Sequence, residues 1–146
     1  MNWVEDEFKR VEAEKKQQEE AARKAEAERQ ELLHAAPEFW SRVRDEVKSV
    51  VHSYNARSAR KIRMTENGNA VLLGFPSTPG NFFVCQLAGT AVQAHVIVNR
   101  RKMPSNFDLQ KLDGHVTFVS QGNVGAAKSI TPAEMVEGWL KGPLFG

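Results

Sequence analysis

The sequence predicts an α+β fold: a long N-terminal helix, an amphipathic helix, a five-stranded antiparallel meander and a short C-terminal helix. Three observations lead there. Residues 5–36 are dominated by Glu, Lys, Arg, Gln and Ala and contain neither Gly nor Pro, a composition of good helix formers. Residues 38–54 place apolar side chains at helical spacing. From Arg60 to Gln121 the apolar period falls to two, and the short runs are separated by turn residues.

In the first helix, acids stand four residues before bases at Glu5 and Lys9, Asp6 and Arg10, Glu12 and Lys16, Glu19 and Arg23, and Glu20 and Lys24. Five such pairs are worth about 1 to 2.5 kcal/mol of helix stability together, before screening by salt. A heptad frame runs through Val4, Phe8, Val11, Lys15, Gln18, Ala22, Ala25, Arg29, Leu32 and Ala36. Its ends are apolar and its middle is polar or small. Residues 1–36 therefore read as a charged helical arm and a candidate coiled coil, with residues 37–146 as a compact α+β domain. A charged arm has no need of Trp3, Phe8 and Val11 at its tip unless something covers them, so these three and Leu32 are the candidate partner-binding residues.

Pro37 disfavours helical backbone at Ala36, so a break or kink is expected there, with Pro37 opening a new helix. Along that helix Phe39, Trp40, Val43, Val47, Val50, Val51 and Tyr54 form one apolar face, and Arg42, Arg44, Asp45, Glu46 and Lys48 lie mainly opposite. Valine is a modest helix former, so burial against the sheet is expected to sustain the element.

The first strand is expected over Lys61–Glu66 and the second over Ala70–Phe75, joined by a type I′ turn at Asn67-Gly68. Pro76 ends the second, and residues 77–81 read as a loop. The third strand, Phe82–Leu87, is apolar on both faces apart from Gln86. The fourth, Ala91–Asn99, puts Val92, Ala94, Val96 and Val98 on one face and Gln93, His95, Ile97 and Asn99 on the other. Residues 100–114 then read as a long loop, and His115–Ser120 as the fifth strand. Thr131-Pro132-Ala133-Glu134 has the capping-box pattern, opening a helix expected to end near Gly142, with Leu144 and Phe145 docking on the body.

The net charge of +2 conceals an asymmetry, since residues 1–36 carry 10 acidic and 7 basic side chains and the rest carry 8 and 13. Basic residues gather at Arg57, Arg60, Lys61 and Arg63 and again at Arg100, Arg101 and Lys102, a patch suited to an anionic partner if the two groups share one side. No aromatic residues suited to base stacking are interleaved with them. The N-terminus lacks a basic stretch followed by an apolar one and no apolar run approaches a membrane span, so a cytoplasmic protein is expected. The single cysteine, Cys85, fits a reducing compartment.

No motif for catalysis, metal or cofactor stands out. Residues 122–129 approximate a phosphate loop, but Ala127 replaces its second glycine and the capping signal starts the helix later. His34, His52, His95 and His115 show no metal-ligand spacing. Cys85 and His95 share a face if the turn between their strands has three residues and fall on opposite faces if it has two. The expected function is a non-enzymatic protein–protein interaction or assembly module that forms a homodimer or recruits a partner through its N-terminal helix. The alternative is a domain that binds a small molecule or nucleic acid on the sheet and the basic 100–114 loop. An enzyme built on Cys85, His95 and His115 is the third reading.

Overall fold

The computed structural model describes residues 2–76, 80–120 and 128–146. It is α+β, with a long helix α1 (Trp3–Arg57), a seven-stranded antiparallel sheet and a short helix α2 (Pro132–Phe145). The chain divides into two compact units, Met1–Glu31 and Leu32–Gly146.

In the first unit every described residue is exposed. The ion pairs differ from those expected: Arg10 takes Glu7 at 2.8 Å and Glu14 at 2.9 Å rather than Asp6, and Arg29 takes Glu26 at 3.5 Å. A guanidinium reaches carboxylates three or four residues away in either direction, so spacing alone does not select one. The Glu26 carboxyl is held below its ordinary range, first by a hydrogen bond from Gln30 at 3.0 Å and then by Arg29.

Two helices were expected on either side of Pro37, yet α1 passes through it. Proline removes one helical hydrogen bond and crowds the preceding turn. Here Pro37 lies on the exposed side, while Ala36 and Trp40 beside it are 2% and 3% exposed. Burial of the apolar face on both sides of the proline holds the helical path across the defect.

In the second unit the strands run in chain order: β1 (Arg63–Asn67), β2 (Ala70–Gly74), β3 (Phe82–Ala88), β4 (Ala91–Val98), β5 (Arg101–Leu112), β6 (His115–Ser120) and β7 (Ser129–Ile130). Five strands were expected and seven are present among the described residues. The stretch read as a loop is β5, the longest strand, entered through Asn99 and Arg100 (φ 52° and 67°) and left through Asp113 and Gly114 (φ 50° and 80°). These are two-residue turns with positive φ at both central positions, the form that matches strand twist.

Pro104 argues against a strand by sequence, but the register makes it harmless. Leu109 N–H donates to Thr90 O, so the odd-numbered amides of β5 face β4 and the even-numbered ones face away. Position 104 therefore owes no hydrogen bond to β4, and β6 pairs only from Phe107 onward. The first hairpin also differs from expectation: Asn67 pairs with Ala70, the turn is Gly68-Asn69, and neither central residue has positive φ.

The core lies between one sheet face and the two helices. Val43 and Val47 of α1, Val71 and Leu73 of β2, Phe83 and Cys85 of β3, and Val92 and Ala94 of β4 are all 0% exposed. Trp139 of α2 packs against Phe83 and Phe107, with ring centroids 5.4 and 5.8 Å apart, and its indole N–H donates to Ser105 Oγ at 3.1 Å. Phe39 meets Phe118 edge-on at 5.5 Å.

Polar clips join helices to sheet. The Trp40 indole N–H donates to Gly68 O at 3.4 Å, and the Asn55 side chain accepts from Ile62 N–H at 2.7 Å and donates to Ile62 O at 3.1 Å. The capping box at Thr131 forms as expected. Helix α2 runs on through Pro143 rather than ending near Gly142, and Gly146 N–H donates to Gly142 O to close the last turn. Leu144 packs against the core, whereas Phe145 is 76% exposed and touches Tyr54 edge-on at 5.7 Å.

Candidate functional site

Three surfaces carry the residues singled out by sequence. The first is the tip of the arm. Val4, Phe8 and Val11 follow one another at spacings of four and three along α1, with Trp3 adjacent, and Trp3, Phe8 and Val11 are 73%, 65% and 51% exposed. Leu32 belongs to the other unit, where it is half-buried against the core.

The second is the basic end of the sheet. The start of β1, with Arg60, Lys61 and Arg63, and the β4–β5 turn, with Arg100, Arg101 and Lys102, lie at the same end, because β1 and β5 both begin there in the register. A recess of about 540 Å³ opens there, lined by Arg60, Lys61, Arg63, Gly74, Phe75, Pro76, Gly80 and Asn81. The six cations are not equivalent. Lys61 Nζ donates to Asn55 O and Ser58 O, so it caps the carbonyl end of α1, where the helix dipole favours a cation. Arg101 pairs with Val98 and is directed to the core side of the sheet, leaving Arg63 and Lys102 on the other side. Arg57 lines a separate hollow of about 830 Å³ with His52, Tyr54, Leu144 and Phe145.

The third surface is the sheet face turned away from the core; the alternative reading put a ligand on the sheet, but the sequence did not show which residues share this face. Cross-strand pairing places Arg63, Gly74, Phe82, Ile97 and Lys102 in one row across β1 to β5. The next row is Thr65, Leu72, Val84, His95 and Pro104, and the third is Asn67, Ala70, Gln86, Gln93 and Asn106. Leu72 is 42% exposed, and Thr65, Gln86, Lys102, Pro104 and Asn106 are exposed. Gln86 donates to Gln93 across the strands at 3.3 Å. Only the mixed second face of the fourth strand hinted at this layout.

The Cys85 and His95 pairing does not form. Ala88 pairs with Ala91 across the two-residue turn Gly89-Thr90, so Cys85 faces the core opposite Ala94 and His95 faces the other way opposite Val84. Burial pushes the Cys85 thiol up to about 12, partly offset by a hydrogen bond with the Val71 backbone, which leaves almost no thiolate at neutral pH. His95 Nδ1 is buried with no hydrogen-bond partner among the described residues, and His115 is exposed at the start of β6.

Among the described residues no three His, Cys, Asp or Glu side chains gather as a metal site requires. Within the phosphate-loop-like stretch, residues 122–127 lie outside the described residues, and Ser129 opens a strand rather than a helix. No helix among the described residues is long and apolar enough to cross a membrane. Comparison with protein-family models, with curated proteins and with solved structures found no match to this chain.

Proposed function

We propose that this chain is a non-enzymatic protein–protein interaction module that associates with a second copy of itself, or with another helical partner, through the tip of its arm. The observation that carries this reading is the exposure of Trp3, Phe8 and Val11 on an otherwise charged helix. Buried aromatic anchors dominate helix-in-groove and helix–helix contacts, and spacings of four and three present them on one stripe. Beyond the tip, Lys15, Gln18, Ala22 and Ala25 follow the same seam and add little apolar area, so pairing concentrates in the first three turns.

The test is the solution mass of the full chain by light scattering over a concentration series, with partner capture from lysate, beside the double variant Trp3→Ala with Phe8→Ala. The expected result is a dimer, or a captured partner, that the double variant loses while its circular dichroism is unchanged. A variant that keeps the native assembly state and every partner of the intact chain removes the proposal.

A further inference from the structure

The outward sheet face combines three chemistries in adjacent rows. Arg63 and Lys102 end one row about 19 Å apart, as four strand spacings require, with Phe82 and Ile97 between them. His95 and Leu72 sit about 7 Å further along the strands, and the amides of Gln86, Gln93 and Asn106 lie one row beyond. None of the fifteen positions in these three rows is a carboxylate.

We infer that this face binds single-stranded nucleic acid, with phosphates along the basic end and bases laid over Phe82 and His95 toward the amide row. Charge complementarity selects an anionic occupant, and the remaining two rows select among anions. Planar base faces stack on aromatic side chains, and carboxamides present a donor and an acceptor to base edges. An acidic peptide uses only the charge. A duplex keeps its base faces stacked inside and cannot lay them on a sheet. The width across β1 to β5 accommodates about three bases.

Arg100 adds a further cation at the same end of the sheet. It holds φ 67° in a two-residue turn where glycine is the ordinary choice, so a cation occupies a conformationally unfavourable position at the basic end. Among the described residues, neither Arg63, Arg100 nor Lys102 pairs with a carboxylate.

The test is fluorescence anisotropy of the full chain with labelled twelve-nucleotide oligo(U) and oligo(dT), from about 50 to 200 mM KCl, with a duplex of equal length and poly-glutamate as competitors. Single strands are expected to bind, with log K falling by about 0.7 per log unit of salt for each phosphate neutralised. Arg63→Gln with Lys102→Gln should weaken binding about tenfold or more and reduce the salt slope by about 1.4. His95→Ala, or Gln86→Ala should the first melt differently from the parent, should weaken binding several-fold and leave the slope unchanged. Trp3→Ala with Phe8→Ala should bind as the parent does, which separates this face from the arm. Absence of binding at low salt, indifference to the Arg63 and Lys102 changes, or equal competition by poly-glutamate or duplex overturns the inference.

Discussion

Trp3 and Trp139 stand near the two ends of the chain in opposite circumstances. Trp3 is 73% exposed on a helix whose neighbours are charged, whereas Trp139 is 5% exposed between Phe83 and Phe107. The contrast extends to their surroundings. The arm is helical through residues that favour helix by themselves, while α1 from Ala36 onward buries valines that do not, two of them at 0% exposure. A helix held by local propensity leaves its apolar residues free for another purpose. One held by burial has already used them.

This contrast breaks first at the tryptophans. Trp139→Ala should lower unfolding free energy by about 3 to 5 kcal/mol in urea titrations, since it removes two ring contacts and a hydrogen bond from a packed site. A loss as small as that expected for the arm would mean that α2 is not held by the core.

Cys85 offers a pH test of the same packing. Its folded thiol is raised to about 12 from an ordinary 9.0, so folding favours the protonated form. The associated stability is fully present below the unfolded value and is lost as pH rises from about 9 through about 12, on the order of 4 kcal/mol over the whole span. Denaturation of the parent beside Cys85→Ala should show the difference between them shrinking with pH. A constant difference would place the thiol in water.

Pro37→Ala sharpens the boundary between the two stretches of α1. It restores a donor to an exposed helical position and should raise stability by about 1 to 3 kcal/mol, read as a higher urea midpoint. A loss would show that the proline matches a bend the packing requires. The smallest effect belongs to the arm: Trp3→Ala should change the stability of the Leu32–Gly146 unit by less than about 0.5 kcal/mol, as checked by thermal melting.

Much of the architecture was legible before the structure. The valines of residues 43–51 and the capping box at Thr131 announced their helices, and the apolar face of Val92, Ala94 and Val96 announced the sheet's core side. β5 was not legible, because Pro104 and the Arg100-Arg101-Lys102 run resemble a loop until the register shows that position 104 faces away from its partner strand. Asp113-Gly114 was the available signal, a strong hairpin dipeptide between alternating residues. β7 has two residues and no period to detect.

Of the candidate surfaces, the arm tip was visible in composition, because a Trp and a Phe stand out in a charged helix. The layout of the outward sheet face was not visible, because Arg63, Phe82 and Lys102 come into one row only through pairings across four strand boundaries.

By itself, the sequence determined that the arm, residues 39–54 and the segment after Thr131 are helical and which side of the fourth strand is apolar, consequences of local spacing and local backbone preference. Tertiary structure alone decided which residues share a row and which face each strand presents. A single residue more or less in a turn reverses every side chain that follows. Two residues between β3 and β4, rather than three, send Cys85 into the core and His95 to the open face. That choice depends on the burial of the whole sheet against α1 and α2, which no short window of sequence contains.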